Sequence, residues 1–431
     1  MGGTARRPRR TGLAGLTGVA MIALAAAACS SSSTASSAGP ASSAATTAAA
    51  TGTAAPGSQA ASGTPVNVGM VYEKTGIYAP YALEYQQGFN IGLAYATGGT
   101  NAVNGHPVNV TWDDDADSAT TAVTDFKSLV GAGDKIIAGT VDSGIATQLA
   151  PLAAQNQALY ISGPAAADQL TGINKYTFRS GRQTYQDVEA AKSFVASKGA
   201  GQNIVVLAQD YAFGQSYVTD AQKVFGSIGD KVTPVLVPLT TTDFTPTALR
   251  VKALHPDLIF LAWAGTTGAA LAQALDQQGV FTSTKVVTGL ANIATYPFYG
   301  AAGAKFDYLS LYFYQASENA ANKYLITQMK AKYNAVPDLF APDGFVAAQM
   351  VVHAIAAGGG TDVNAMIGAL SGWTFLAPKG EQTIRAADHA MLQPMYQAKL
   401  SEVSTTDFTP SLVTTLPNAA TAPSVAANFG G

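Results

Sequence analysis

The 431-residue chain has one cysteine, four histidines and few charges, with Asp, Glu, Lys and Arg together making up only 12%. A single cysteine cannot close a disulfide within the chain, and zinc sites built on two or four thiolates are excluded. The histidines, His106, His255, His353 and His389, are nowhere paired at metal-ligand spacing, so no metal is expected. Asp388 and His389 are adjacent, but no Gly-x-Ser-x-Gly segment exists to supply a serine nucleophile elbow. No glycine-rich phosphate cradle follows any apolar run, and no cofactor is implied. Basic residues are scarce as well. Lysine and arginine number 24 against 27 acids, and Arg6, Arg7, Arg9 and Arg10 at the N-terminus are four of them, leaving 24 − 4 = 20 against 27, or −7. Such a balance argues against nucleic acid as a partner.

What is present begins with a leader. The four arginines precede "LAGLTGVAMIALAAAA", 16 apolar or small residues, too short for a comfortable membrane span. Small residues Ala26, Ala27 and Ala28 then lead into Cys29, the one thiol. This resembles a bacterial lipobox, although Ala26 stands where Leu is usual and Leu24 lies two positions early. A thioether at Cys29 would remove a free thiol from an oxidising compartment and supply the acyl chains for stable anchoring. Arg6-Arg7 lacks the flanking residues of a twin-arginine signal, which leaves the export route open. From Ser30 to Thr64 there is no charge and no aromatic residue, only a tract dominated by Ala, Ser, Thr, Gly and Pro. Such a segment buries too little apolar surface to order itself. As a flexible coil it would span roughly 30–35 Å, enough to hold a folded body off a membrane. The expectation is an extracytoplasmic protein tethered through Cys29.

Past Pro65 short β-branched runs alternate with amphipathic stretches. Strands are expected at 66–72, 107–112, 135–139, 158–162, 203–208, 235–239, 257–263 and 285–289. Helices are expected between them, including 216–226, 268–278 and one opened by Thr245 as cap with Pro246 in its first turn. This rhythm predicts an α/β protein with parallel sheets covered on both faces, in two doubly wound lobes. A single eight-fold barrel is the architectural alternative. The polar break "RSGRQTYQD" (179–187) marks a lobe boundary.

In open α/β sheets, ligands bind beyond the carboxyl ends of the strands. The loops there carry rings, small residues and backbone amides. Tyr78, Tyr81, Tyr211, Phe213 and Trp263 are candidates to clamp a small ligand. Asp142 and Ser143 stand where a helix begins, so Ser143 could cap the helix or hold a carboxylate at its positive end. Pro164, Ala165, Ala166 and Asn292 complete the candidate set. The run "DDDADS" (113–118) alternates acids as a calcium loop does. Ser118 stands where that loop needs Gly and Thr124 where it needs Glu, so the acids are expected to be helix caps.

Seven segments in order carry a resemblance to a known family: "TGIYAPYALEYQQGFNIGLAY", "WDDDADSATTAV", "AGTVDSGIATQLAPLAAQ", "YISGPAAADQLT", "DYAFGQSYV", "TDFTPTALRVKALHPDLIFLAW" and "LAPKGEQTIRAADHAMLQPMY". Together they resemble the type I solute-binding proteins of ABC transporters, in the leucine/isoleucine/valine-binding branch. The resemblance implies a type I periplasmic-binding-protein fold, two lobes joined by three hinge crossovers and closing over a ligand. The expected division is a leader at 1–28 and a tether at 29–64. Lobe 1 is expected at 65–182 with 314–394, lobe 2 at 183–313 with 395–415, and a flexible tail at 416–431. By the same resemblance Tyr81 covers the ligand, Ser143 holds its carboxylate, and loop 164–166 meets its ammonium group. Phe213 closes from the second lobe. Two features depart from the pattern. Ala166 stands where the family has threonine, and "TGLANIA" lacks the acid expected near 289–291. Burying an ammonium ion unpaired costs several kcal/mol. The expected ligand is therefore a carboxylate with an apolar or aromatic body, or an amide-like solute. The implied role is a monomeric, non-enzymatic receptor that delivers its ligand to ABC permease subunits. The alternatives are a ligand-sensing subunit of a signalling system and a cleft hydrolase.

Overall fold

The computed structural model describes residues 62–431, except 290, 405–406, 427–428 and 430–431. The leader and Cys29 lie outside the described residues, so the anchor has no structural account. Among the described residues no helix is long and apolar enough to cross a membrane.

Two open sheets form the frame. The first contains β1 (Val66–Tyr72), β2 (Ala102–Val103), β3 (His106–Asp114), β4 (Ile136–Gly139), β5 (Leu159–Ser162) and β6 (Thr177–Arg179). Its order is β2-β3-β1-β4-β5-β6, all neighbours parallel except the short β2–β3 pair. The second sheet begins with β7 (Asn203–Gln209), β8 (Lys231–Val237), β9 (Leu258–Ala262), β10 (Lys285–Gly289) and β11 (Asp307–Ser310). A small antiparallel sheet follows, made of β12 (Thr374–Ala377), β13 (Gly380–Ile384) and β14 (Met391–Leu392). The hairpin β15 (Met395–Ser404) and β16 (Asp407–Leu416) then returns to the second sheet, giving the order β16-β15-β11-β10-β9-β7-β8. Both edges of that sheet carry a proline, Pro234 in β8 and Pro410 in β16, each removing a donor that could recruit another strand. Two separate sheets rule out the single barrel.

The chain crosses between the sheets three times: from Arg179 to Thr184, from Ser310 to Ala320, and from Leu392 to Met395. These crossings make the architecture two lobes on a hinge. The second crossing delivers a helix, Ala341–Gly358, onto the helix Ala79–Ala96 of the first lobe. Glycines let these two helices touch backbone to backbone. A Cβ on Gly88 would lie 1.9 Å from the Ala341 carbonyl oxygen, and one on Gly344 1.9 Å from that of Tyr85. The contact fixes the N-terminal ends of both helices, where Tyr81 and Phe340 meet with ring centroids 4.8 Å apart.

Several expectations need correcting. The helix at 245 is Thr245–Ala253 with Phe244 as its cap residue, and Asp243 Oδ1 accepts from the Thr245 amide at 2.9 Å. The helix expected at 216–226 is Ala212–Val224. Strands β6 and β11 and the β15–β16 hairpin were not anticipated, being too short or too mixed in pattern to read. Of the segment expected to be a flexible tail, residues 416–426 are held down rather than loose: Arg385 Nη1 donates to the Pro423 carbonyl at 2.7 Å and Asp388 Oδ2 accepts from the Ala426 amide at 2.9 Å. Asp388 is committed to Arg385 and does not orient His389, whose ring stacks on Phe178 with centroids 3.7 Å apart.

Candidate ligand-binding cleft

The strand ends of the two sheets face each other across a hollow. From the first lobe come Tyr78 and Tyr81 after β1, Val141 after β4, Pro164 and Ala166 after β5, and Phe340. From the second come Tyr211, Phe213 and Tyr217 after β7, residues 260–264 at the end of β9, Gly289, Ala291 and Tyr299. Tyr78 stacks near Tyr211 at 6.2 Å, Tyr211 on Phe213 at 5.7 Å, and Phe213 meets Tyr217 edge-on at 4.8 Å. One wall is thus a continuous chain of rings running from lobe to lobe.

The lobes are closed on each other. The Gly265 amide donates to Tyr81 Oη at 3.2 Å, and the Thr266 amide to the Ile77 carbonyl at 3.1 Å. The hollow left between the closed lobes has a volume of about 70 Å³.

Of the candidate residues, Tyr78, Tyr81, Pro164, Ala166, Tyr211, Phe213 and Trp263 line the hollow, and Asp142, Ser143, Ala165 and Asn292 do not. Ser143 is neither a helix cap nor a free hydroxyl. Asp142 caps the helix Ser143–Asn156 by accepting from the Ile145 amide at 2.9 Å. Ser143 Oγ accepts from the amides of Ala166 at 3.1 Å and Ala167 at 3.2 Å, pinning the loop after β5 from behind. Ala165 contributes its carbonyl to Arg179 Nη2 at 2.8 Å. Asn292 lies at the outer rim, where its Nδ2 reaches Glu84 Oε1 at 3.5 Å.

Two charged groups that line the hollow were missed. Arg182, in the first hinge crossing, donates from Nε to Asp187 Oδ2 at 3.0 Å and from Nη1 to the Pro164 carbonyl at 3.0 Å. Tyr217 Oη donates a short hydrogen bond to the same Asp187 oxygen. Oδ1 of Asp187 has no hydrogen-bond partner among the described residues. The guanidinium also sits 5.8 Å from the Phe340 ring centroid. Behind this pair lie Arg179, which grips the 165–167 loop through Thr171 Oγ1 and two carbonyls, and Lys379 with Asp343. Desolvation drives the Lys379 ammonium down from its ordinary range, partly offset by Asp343 and Asp187. The segment holding Arg182 and Asp187 reads as a bare lobe boundary. Its signal was three charges, Arg179, Arg182 and Asp187, in a stretch that must pass between two lobes.

The acids of 113–118 also do something other than cap. Ser118 caps the helix Ala119–Gly131, accepting from the Thr121 amide at 3.3 Å. Asp115 and Asp117 turn inward to meet Glu73, placing one oxygen of each within 4.8 Å of the others. Glu73 Oε1 accepts from the amides of Val141 at 2.8 Å and Asp142 at 2.7 Å and from the Thr140 hydroxyl. Burial pushes the Glu73 carboxyl up to about 7, and burial with the neighbouring Glu73 charge pushes Asp115 up to about 8.

Residues 65–406 match the family model described as periplasmic binding protein. Over 321 residues the chain is 22% identical to the Leu/Ile/Val-binding protein homolog 3 of Brucella melitensis, spanning 72% of this chain and 84% of that one. Among solved structures it is similar to an ABC-type branched-chain amino acid transporter protein of Rhodopseudomonas palustris CGA009, at 31% identity and TM-score 0.69 over 84% of this chain and 100% of that one. It also resembles in fold a solute-binding protein of an R. palustris ABC transporter solved with 4-hydroxybenzoate, at 22% identity and TM-score 0.75 over 82% of this chain and 97% of that one.

Proposed function

This chain belongs to the periplasmic-binding-protein family, as a type I solute-binding protein of ABC transporters, and from that premise we propose that it captures a small carboxylate with an aromatic or apolar body. Ligand capture closes the two lobes, and the loaded protein hands its cargo to ABC permease subunits at the membrane surface, to which Cys29 tethers it. The observation that carries the ligand class is the ring wall Tyr78–Tyr211–Phe213–Tyr217, which spans both lobes and offers faces and edges for a planar apolar body. The 4-hydroxybenzoate bound by the R. palustris relative supports the same class. An α-amino acid fits less well. The acid in the cleft, Asp187, gives Oδ2 to Arg182 and Tyr217, and although its Oδ1 is unpartnered its charge is offset by the adjacent guanidinium.

Thermal unfolding of the protein in the presence of benzoate, 4-hydroxybenzoate and L-leucine tests this reading. Saturable stabilisation by the benzoates, with the ligand recovered unchanged, is the expected outcome. Stabilisation by leucine alone would replace the reading with an amino-acid receptor. For the tether, Cys29→Ser should release the protein from membranes into the medium, and unchanged retention would rule out the lipid anchor.

A further inference from the structure

We propose that the ligand's carboxylate is held by Arg182 at the hinge, and not by Ser143 and the helix N-terminus beside it. This rests on the reading that a small carboxylate occupies the cleft.

The family resemblance directs an anion to Ser143, but the donors there are engaged within the protein. Glu73 takes the amides of Val141 and Asp142, and the Asp142 side chain takes that of Ile145. The Ser143 hydroxyl oxygen accepts from Ala166 and Ala167 and is fully buried. An incoming carboxylate would find these amides of the helix end already taken by two carboxyl groups.

The hinge offers the opposite environment. Arg179, Arg182 and Lys379 are buried there with Asp187 and Asp343, and the half-buried Asp168 acts on Arg179 from the loop after β5. Of the three cations only Arg182 lines the hollow. Asp187 and the Pro164 carbonyl engage two of the five N–H donors of its guanidinium, one partner from each lobe, which orients the planar fork without saturating it. A monoanionic ligand would pair with the remaining N–H donors of the Arg182 guanidinium while its apolar body lies along the rings. A neutral ligand of the same shape would forgo that charge-assisted pairing, so the hinge selects for charge.

The test is equilibrium binding of benzoate and of benzamide, its neutral counterpart, to the full chain at pH 7. The wild type is expected to prefer benzoate by ~30-fold or more, the range for a buried charge pair. Arg182→Gln should abolish that preference, lowering benzoate affinity by ~30-fold or more and benzamide affinity by less than about threefold. Ser143→Ala should leave benzoate affinity within about threefold. Because Arg182→Gln strands the Asp187 carboxylate, Arg182→Gln with Asp187→Asn is measured beside it. That variant restores a neutral hydrogen-bonded pair, and it should fold and show the same loss of preference. If Ser143→Ala removes the preference and the Arg182 variants keep it, the anchor is overturned while the receptor reading stands. If the wild type binds neither benzoate nor 4-hydroxybenzoate but binds leucine, the ligand class itself falls, and the anchor with it.

Discussion

Beneath Tyr78, Glu73, Asp115 and Asp117 gather three carboxyl groups, and no lysine or arginine among the described residues forms an ion pair with them. Across the cleft floor, Arg182 and Asp187 meet as an ion pair, with Arg179, Lys379 and Asp343 behind. Both groups are buried, and both must offset the cost of leaving water. The acidic end does so with backbone amides and by holding protons, which is why its carboxyl pKa values climb. The hinge does so with opposite charge, and Asp187 keeps the Arg182 guanidinium firmly protonated. The first arrangement is closed to a ligand because its donors face inward. The second leaves part of a cation open to the hollow. Position follows the same logic. The acids sit at strand ends inside one lobe, whereas the charge pair lies where the chain crosses between the two lobes.

The largest expected effect comes from breaking the hinge pair. Asp187→Ala leaves the Arg182 charge buried and unpaired, and should lower stability by roughly 3–5 kcal/mol in urea unfolding. Adding Arg182→Met should recover most of that loss, giving a strong coupling in the double-mutant cycle. If the two changes simply add, the pair is not a unit and the contrast with the acidic end disappears.

Next in size is pH dependence, where Glu73 and Asp115 should differ in sign from Lys379, while the raised Asp343 carboxyl at the hinge follows the acids. Glu73 and Asp115 hold protons in the folded chain up to about 7 and about 8, well above the ordinary carboxyl range. Between pH 5 and 8 these two groups therefore bind more protons in the folded chain than in the unfolded chain, so their contribution to stability falls as pH rises through that window. Glu73→Gln should flatten the fall. At the hinge the depressed Lys379 pKa, about 7, means the unfolded chain binds the extra proton above neutrality. Its contribution should rise with pH from about 7 toward the ordinary lysine range, and Lys379→Met should remove that rise. Urea midpoints from pH 5 to 10 would show whether the two slopes oppose each other.

The two ends also differ in how far they could be read from the chain. Glu73, Asp115, Asp117 and Asp142 lie just after apolar strands, and "DDDADS" announces itself, although its role as inward-turned carboxyls rather than caps needed coordinates. Strands β1 and β10 have the bounds their β-branched pattern predicts, and seven of the eleven ligand-site candidates, the ring residues among them, line the hollow. The hinge was opaque because its partners come from distant segments: Arg182 from the first crossing and Asp187 from the helix that follows it, Asp343 from the helix Ala341–Gly358, and Lys379 from the turn between β12 and β13. No local periodicity marks such a cluster. "RSGRQTYQD" reads as solvated polar chain until Pro164, Tyr217 and Phe340 are packed around it. Ser143 shows the reverse error. Its motif is local and legible, yet the hydroxyl's partners, Ala166 and Ala167, lie more than twenty residues away and decide its role.

Ser143 therefore supplies the smallest and most discriminating effect. Its Oγ is an acceptor for two buried amides, so Ser143→Ala leaves both unpaired and should cost about 1–2 kcal/mol of stability. The loss should show at every pH, because no titrating group is removed. It should also leave ligand affinity nearly unchanged, because the hydroxyl faces the back of the 165–167 loop and the hollow is lined there by Ala166. A residue that held the ligand's carboxylate would behave the other way, with affinity falling by orders of magnitude and the unfolding midpoint of the unliganded protein hardly moving. Measuring both quantities on this one variant separates a loop pin from a ligand contact. If affinity collapses while unliganded stability holds, the acidic end belongs to the binding site and the charge logic assigned to the hinge must be redrawn.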